Sequence, residues 1–344
     1  MVRLSDIAKE AGVSVQTVSN VLTGRNKGAY GATVRDRAER IRAIAARLNY
    51  RPNHAARAVR TKRTRTIGLL VRGVADPSTG TLVDAFERAF HRHGYRLLLG
   101  ISGGHQNDAA GYLRQFPGSF VDGVINADPF LAADLVVDAL RPLPVLSYNR
   151  DHASCPARIN YARLTEMGLT YLLGLGHRRI GLLHGPKWDA TTKTVLATYK
   201  TVLAGAGIKP MAAWAADANW ELAAAERVTP GVLRTGCTAI LAIDDWSALG
   251  AIQAIRQAGR RVPEDVSVIG ADDLPLAQIS EPKLTTFRYP YEALAAKHVE
   301  VMLARLQGQP LPPPALLEHE LVVRQSAAPP ASSPSLQKGG PAGK

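Results

Sequence analysis

The stretch LSDIAKEAGVSVQTVSNVL, from Leu4 to Leu22, decides how the N-terminal part of the chain folds. Its apolar residues recur at helical spacing in two short runs, with a glycine between them. Ser5 and Ser14 can cap the two helices, and Gly12 can end the first, because glycine adopts the left-handed conformation of a helix C-terminus. We therefore predict two short helices joined by a tight turn. The residues expected to face inward are Ile7, Ala8 and Ala11, then Val18, Val21 and Leu22.

A third amphipathic helix is predicted after this pair. Its apolar face is formed by Val34, Ala38, Ile41, Ala45 and Leu48, and five arginines surround it: Arg35, Arg37, Arg40, Arg42 and Arg47. Helix, glycine-containing turn and helix form the helix-turn-helix unit, whose second helix enters the major groove of DNA. The alternative is a generic three-helix bundle with a solvated polar face.

The outer side of the second helix carries groups that can read bases. Gln16 and Asn20 can each form a bidentate pair with adenine, and Val15 can contact the methyl group of thymine. We assign these three residues to DNA binding, together with other polar residues of the two helices. The additional residues are Ser5, Thr17 and Ser19.

Positive charge is concentrated at the N-terminal end of the chain. The whole chain has 344 residues and a net charge of +13, whereas residues 1–65 alone hold 15 Lys/Arg and 4 Asp/Glu, a net of +11. A compact basic segment of this kind is typical of a nucleic-acid-binding protein. A solubilising tail would show the charge but not the helical periodicity.

The segment RPNHAARAVRTKRTRT, from Arg51 to Thr66, carries six Arg or Lys and no acid. Val59 is its one sizeable aliphatic side chain. Such a segment cannot bury enough apolar surface to fold alone. Cations suit a groove lined by phosphates, and an aliphatic side chain can unstack a base step and kink the duplex.

From Thr66 onward, short apolar runs such as TIGLLV, AILAI and VSVIGAD alternate with helical patterns. This alternation predicts an α/β protein with doubly wound parallel sheets, and its length favours two lobes. Ligands of such sheets bind at the carboxyl ends of the strands, here in the cleft between the lobes. The expected domains are 1–50 (helix-turn-helix), 51–65 (hinge), 66–326 (two-lobed effector-binding and dimerisation domain) and 327–344 (low-complexity, disordered tail).

Five segments of the chain resemble motifs of the LacI/GalR family of bacterial transcription regulators, in that family's order. They are DIAKEAGVSVQTVSNVLTG, NYRPNHAARAVRTKRTRTIGLL, LGHRRIGLLHGP, RVPEDVSVIGADDLPLA and LTTFRYP, and the resemblance extends to about Ser326. It implies two lobes like those of a periplasmic sugar-binding protein, with three chain crossings. The implied lobes are 66–158 with 287–312, and 159–286 with 313–326. Asn20 stands where many members carry Arg.

The resemblance also implies a role for the basic segment. The family's hinge folds into a short helix on the operator and inserts an apolar side chain, usually Leu, into the minor groove. The matching residue is Val59, with Asn53, Ala56 and Arg57 around it.

Four residues match the family's ligand pocket. Asp76 matches a common Asn, Asp244 stands where many members have Asn, Asp272 matches a ligand-binding Asp, and Trp220 matches an aromatic that stacks on a sugar. Carboxylates accept paired sugar hydroxyls, so the resemblance implies a carbohydrate. The alternatives are core packing for Trp220 and a strand-end turn for Asp272. Val195 stands where a sugar-binding Arg is usual, so the acids lack an obvious counter-charge; this favours a neutral polyol or sugar, or a cationic ligand, over an anion.

Several other classes are not expected. The charged start MVRLSDIAKEAG is unlike a signal peptide, no run approaches the roughly 18 apolar residues of a membrane span, and Cys155 and Cys237 are too few for a disulfide scaffold, so we expect a cytoplasmic protein. No nucleophile elbow, zinc spacing or phosphate-binding glycine loop occurs, so neither an enzyme nor a cofactor or metal is expected.

We therefore expect a homodimeric transcriptional repressor that binds palindromic double-stranded operator DNA. Its expected effector is a small neutral molecule, a sugar, in the cleft. The alternatives are an activator using the same contacts and a solute-binding protein with a vestigial DNA-binding head.

Overall fold

The computed structural model describes residues 2–22, 32–51, 58, 61, 63–103, 106–116, 120–148 and 152–331. The chain divides into two compact units between Thr64 and Arg65. The smaller unit is helical and the larger unit contains all the strands.

Between residues 2 and 51, the described part of the smaller unit contains α1 (Leu4–Ala11), α2 (Val15–Leu22) and α3 (Ala32–Arg47). The predicted turn is confirmed, because Gly12 has φ +65° and its N–H donates to the carbonyl of Ala8. Ser14 caps α2 as predicted, since its Oγ accepts the N–H of Thr17 at 3.1 Å.

The cap predicted at Ser5 is wrong. Helix α1 already begins at Leu4, and the Asp6 carboxylate accepts the N–H of Arg3 at 2.8 Å, so an acid of the first turn satisfies this helix end. The inner face of α3 also differs from the prediction. Val34 is exposed, whereas Ile44, one turn after Ile41, is buried.

The first sheet of the larger unit has four parallel strands in the order β2-β1-β3-β4. Three helices follow its strands along the chain. The elements are β1 (Thr66–Val71), α4 (Pro77–His91), β2 (Arg96–Ile101), α5 (Gln106–Gln115), β3 (Gly123–Asn126), α6 (Ala133–Ala139) and β4 (Val145–Ser147).

The second sheet has six strands in the order β12-β10-β9-β8-β6-β7, of which β12 is antiparallel to β10 and the other pairs are parallel. Its strands are β6 (Ile180–His184), β7 (Ala215–Asp217), β8 (Ala239–Ala242), β9 (Ser267–Asp272), β10 (Thr285–Arg288) and β12 (Glu320–Val322). Its helices are α7 (Tyr161–Gly174), α8 (Ala190–Gly205), α9 (Leu222–Arg234), α10 (Asp245–Gln257) and α11 (Pro275–Ile279).

The chain passes three times between the two sheets. A small parallel pair, β5 (Ala157–Ile159) with β11 (Ala315–Leu317), holds two of the passages. The third follows β10 and leads into α12 (Tyr291–Gln307), which packs against α4 beside the first sheet. Each sheet has its own apolar core, so the prediction of two α/β lobes is confirmed. The implied lobe boundary at 287 is wrong by a few residues, because β10 belongs to the second sheet.

Candidate functional sites: an exposed helix face and an acidic cavity

The outer face of α2 presents two amide side chains next to each other. The Nε2 of Gln16 donates to the Oδ1 of Asn20 at 2.9 Å, as expected for residues four apart on a helix. Val15 stands beside them with 46% of its surface exposed. The amides retain further donors and acceptors, so this face can read hydrogen-bonding edges.

The remaining residues assigned to this surface are placed differently. Ser5 is exposed on α1, and Thr17 is half-buried, with its hydroxyl 2.9 Å from that of Ser14. Ser19 is buried next to Val18, so its assignment to the outer side is wrong. Its small side chain fits where α2 packs against the other helices. The hinge residues Asn53, Ala56, Arg57 and Val59 lie outside the described residues.

Glu10 of α1 links the first helix to the arginine-rich third helix. Its carboxylate forms an ion pair with Arg47, and its carbonyl accepts a hydrogen bond from Arg40 at 3.5 Å. Arg35, Arg37 and Arg42 are also exposed, so the unit presents a basic surface.

The larger unit contains a cavity of about 620 Å³ between the two sheets. Residues that end or follow strands of both sheets line it, as the strand-end rule leads one to expect. All four residues that the sequence assigned to a ligand pocket lie on its wall: Asp76, Trp220, Asp244 and Asp272.

Two of these acids also cap helices. Asp76 accepts the N–H and the hydroxyl of Ser78, both at 2.9 Å, at the start of α4. Asp244 accepts the N–H of Ser247 at 2.6 Å and its hydroxyl at 2.7 Å, at the start of α10. Burial raises the pKa of Asp244 to about 6, although the bonds from Ser247 oppose the shift.

Asp272 ends β9 with an unusual backbone, since its φ is +125°. Burial, reinforced by the nearby carboxylates of Asp245, Asp244 and Asp76, raises its pKa well above the ordinary value for aspartate. A carboxylate at the end of a strand, surrounded by other acids, is costly to ionise without a partner.

Asp245 supports this cluster from behind the cavity wall. It is fully buried, and its carboxylate accepts the N–H of Leu274 at 2.8 Å and the hydroxyl of Thr286 at 2.5 Å. A Cβ at Gly270 would lie 2.4 Å from this carboxylate, so only glycine fits there. The next acid, Asp273, forms ion pairs with arginines outside the cavity.

Phe130 and Trp220, one from each lobe, lie on one side of the cavity, and the ring of Trp188 packs against both. The ring of Phe130 lies 5.0 Å from that of Trp188 and 6.0 Å from that of Trp220, and the two tryptophans are 6.3 Å apart. A Cβ at Gly185 would lie 2.2 Å from the Trp220 indole, so this glycine lets the ring approach the backbone. Trp220 is half-buried: it lines the cavity and also packs against the core of the second lobe.

The cavity has a cation that sequence reasoning missed. Arg72 follows β1, with its guanidinium carbon 4.5 Å from the centre of the Phe130 ring and its Nη2 3.4 Å from a carboxylate oxygen of Glu221. The expectation that the acids have no counter-charge is therefore wrong. Val195 is completely buried in the core of the second lobe. The position after the first strand was the signal that could have identified Arg72.

Tyrosine side chains complete the wall. The hydroxyls of Tyr148 and Tyr289 are hydrogen-bonded to each other, and the ring of Tyr291 lies 4.5 Å from that of Tyr289. Burial raises the pKa of all three, so they present neutral hydroxyls and apolar rings. Tyr148 and Tyr289 directly follow strands β4 and β10, a position that sequence reasoning could have used.

The described part of the chain contains neither a metal-binding cluster of side chains nor a membrane-spanning helix. No group of three or more His, Cys, Asp or Glu is arranged there to hold a metal ion. No helix there is both long enough and apolar enough to cross a membrane.

Each of the two units matches the profile of a known protein family. Residues 3–53 match the profile of bacterial regulatory proteins of the lacI family, and residues 169–327 match that of a periplasmic binding protein-like domain. The chain is 30% identical over 318 residues to the HTH-type transcriptional repressor PurR of Vibrio campbellii, covering 90% of this chain and 93% of that protein. It is 29% identical over 314 residues to the ribose operon repressor of Haemophilus influenzae, with the same coverage.

A solved structure agrees over nearly the full length. The lac repressor dimer bound to operator and the anti-inducer ONPF superposes with a TM-score of 0.79 at 28% identity, covering 95% of this chain and 99% of that one. The order of the two units, the relatives and this structure lead to one conclusion: the chain belongs to the LacI family of bacterial regulatory proteins.

Proposed function

We propose that this protein is a homodimeric, sequence-specific repressor of transcription, acting in the cytoplasm and controlled by a small ligand in the cavity. The observation that carries the proposal is the exposed pair of Gln16 and Asn20 on the second helix of a basic helix-turn-helix unit. Repression then requires only that a bound dimer occlude a promoter.

The α2 face supplies the chemistry of base reading. A bidentate amide is the side chain that pairs with N6 and N7 of adenine, and Val15 can contact a thymine methyl group. The mutual bond of Gln16 and Asn20 restricts their rotamers before DNA is met, which lowers the entropy lost on binding. The exposed arginines of α3 suit phosphates, which position a protein without reading sequence.

The hinge residues extend this proposal on sequence grounds. Arg57 and its neighbouring cations would neutralise phosphates, while Val59 would enter the minor groove with Asn53 and Ala56 beside it. Val is shorter than the usual Leu, so the expected wedge is shallower.

The cavity suits a polyhydroxylated ligand such as a sugar. Asp76, Asp244 and Asp272 can accept hydroxyl hydrogens, and Trp220 can cover an apolar C–H face. One of the relatives is named the ribose operon repressor, which supports a carbohydrate here. The wall combines residues of both lobes, so a bound ligand would favour one lobe arrangement over another. Such coupling is typically about 1–3 kcal/mol, roughly 5–150-fold in operator affinity.

The test begins with selection of bound sequences from random duplex DNA by the full chain, followed by footprinting on the genome. We expect a two-fold symmetric site near a promoter, and a reporter gene whose expression rises when the protein is removed. A fall in expression on removal would indicate an activator. Failure to select any sequence would contradict DNA reading and favour a solute-binding protein.

A further inference from the structure

The charges on the cavity wall are strongly unequal. Five carboxylates line it, and Arg72 is the one Lys or Arg among the described lining residues. The five acids come from both lobes: Asp76, Asp189, Glu221, Asp244 and Asp272. The wall therefore carries a formal excess of negative charge.

Helix N-termini offset part of this excess. Asp76, Asp189 and Asp244 cap α4, α8 and α10, and each helix N-terminus is equivalent to roughly half a positive charge. Arg72 is already paired with Glu221 and stacked on Phe130. The helix N-termini therefore offset the negative charge of the three capping aspartates, and Arg72 offsets that of Glu221. Asp272 follows a strand and accepts a hydrogen bond from the backbone N–H of Asp245 at the start of α10, the same helix end that Asp244 already caps; the charged groups around it are acids.

The missing positive charge is better supplied by an organic cation than by a metal ion. The described carboxylates do not form a metal-binding group, so they are too dispersed to share one small ion. Aromatic rings occupy the remaining wall, from Phe130 and Trp220 on one side to Tyr289 and Tyr291 on the other. Such rings attract organic ammonium groups and cover apolar carbon atoms.

We propose that the ligand of this cavity is a polyhydroxylated molecule carrying a protonated amine, an amino sugar or amino alditol, with the ammonium group beside Asp272 and Asp244. The proposal rests on the regulatory function proposed above and replaces the neutral sugar expected from sequence. The hydroxyls would bind the remaining carboxylates and tyrosines. The amine supplies the charge that Asp272 lacks.

The protonation of the cluster supports this assignment and makes it measurable. The groups facing Asp272 are acids or neutral phenols on every neighbouring element: Asp76 before α4, Asp244 and Asp245 at α10, Tyr148 after β4 and Tyr291 at α12. Burial and these neighbours raise the pKa of Asp272. Without a ligand the carboxylates around it therefore hold protons, which an ammonium group would displace. Binding should tighten as the pH rises through about 6, the pKa of Asp244, because the ionised form binds the cation.

Calorimetric titration of the full chain can test this with matched ligands. The probes are D-glucosamine, D-galactosamine and D-mannosamine, each beside its parent sugar and its N-acetyl derivative, with 1-amino-1-deoxy-D-sorbitol beside D-sorbitol. We expect at least one amine to bind roughly tenfold or more tightly than its neutral partners. In buffers of different ionisation enthalpy near pH 6, binding should release up to about one proton. Equal or tighter binding by the neutral partners, no proton release, or no binding by any amine would each overturn the proposal.

A variant pair adds a second readout. Asp244→Asn retains an acceptor for the Ser247 N–H but removes one charge, so affinity for the amine should fall roughly tenfold more than affinity for its neutral parent. Asp217→Asn, at the exposed end of β7 and not itself on the cavity wall, keeps an acceptor for the N–H of Asn219 and should change neither. Equal losses for amine and parent sugar would overturn the charge argument. Unchanged ligand-free operator binding shows that the variant is folded.

The two proposals fail separately. A neutral sugar that alters operator binding would leave the regulatory function standing and overturn the amine. Absence of any selected DNA site would overturn the regulatory function, whereas the amine titration would still report on the cavity.

Discussion

The exposed face of α2 and the cavity of the larger unit differ in charge, enclosure and origin. The first is an open surface built from neighbours in sequence, Val15 to Asn20, on a basic unit. The second is a concave, acidic cavity, and its residues run from Arg72 to Tyr291 along the chain. The net charge of +13 therefore predicts the charge of neither site, because almost all of the excess positive charge lies in residues 1–65.

The largest expected effect concerns salt. If the basic unit carries the DNA affinity through about 6–10 phosphate contacts, operator affinity should fall roughly 10³–10⁵-fold between about 50 and 200 mM salt. Binding of an amine in the cavity should weaken far less, because the partly buried charges there are screened less than surface charges. Operator titrations and calorimetry across this range compare the two sites. Operator affinity that does not change with salt would contradict the claim that the basic unit binds DNA through phosphate contacts.

Base reading by α2 should give the next largest effect. Gln16→Ala is expected to cost about 1–3 kcal/mol of discrimination and to relax preference at one symmetric pair of operator positions. Selection of bound DNA with the variant measures this directly. Gln253→Ala, an exposed glutamine of the larger unit, is the matched control and should leave the selected sequence unchanged. Equal weakening on all sequences would mean that Gln16 contacts only phosphate.

The cavity should show a cost in stability that the helix face does not. The folded pKa of Asp244 is raised to about 6, so the folded protein holds this proton more tightly than the unfolded chain. The stabilising effect is complete below about pH 4 and is lost as the pH rises through about 6. Asp244→Asn should therefore raise stability by about 1–3 kcal/mol near pH 7 and change it little near pH 4.

Thermal unfolding at the two pH values measures this difference, with Asp217→Asn as the control. The control carboxylate is exposed, so its variant should show no such pH dependence. A loss of stability in Asp244→Asn at both pH values would show that the cap outweighs the desolvation of the charge.

The smallest expected effect concerns the rim of the cavity. Trp188 is 52% exposed and meets the ring of Phe130 edge-on at 5.0 Å. Trp188→Ala should weaken the best-binding probe only a few-fold, because aromatic pairs of this kind are worth about 0.5–1.5 kcal/mol. The buried-side partner Trp220→Ala should weaken it more. Equal losses of probe affinity in the two variants would show that both tryptophans contribute equally to ligand binding.

Sequence predicted the smaller unit well because its determinants are local. Gly12 fixes the turn through its backbone N–H, and Ser14 does so through its side-chain oxygen, which accepts the N–H of Thr17. The errors at Ser5, Ser19 and Val34 arose where a neighbouring residue or helix decided the outcome: Asp6 took the capping role, and helix packing buried Ser19 and Ile44.

The cavity was predicted only in part, because its geometry is not local. The four residues assigned by resemblance do line it, yet Arg72 and Phe130 become partners only because β1 and β3 are neighbours in the first sheet. Asp245 also escaped notice, since its role depends on Thr286 and on the space left by Gly270. Periodicity places strands, but it does not say which strand ends face each other.

The three passages between the sheets have a consequence for how the newly made chain acquires its structure. Helix α12 packs on α4, more than two hundred residues earlier, and Met302 approaches β3 so closely that only Gly123 fits there. When only the first four strands have been synthesised, the face of the first sheet that α12 later covers is therefore still exposed. Contacts so distant in sequence slow folding and expose apolar surface to aggregation. The helical unit needs only its first fifty residues, so on the growing chain it should fold first, and the ligand cavity last.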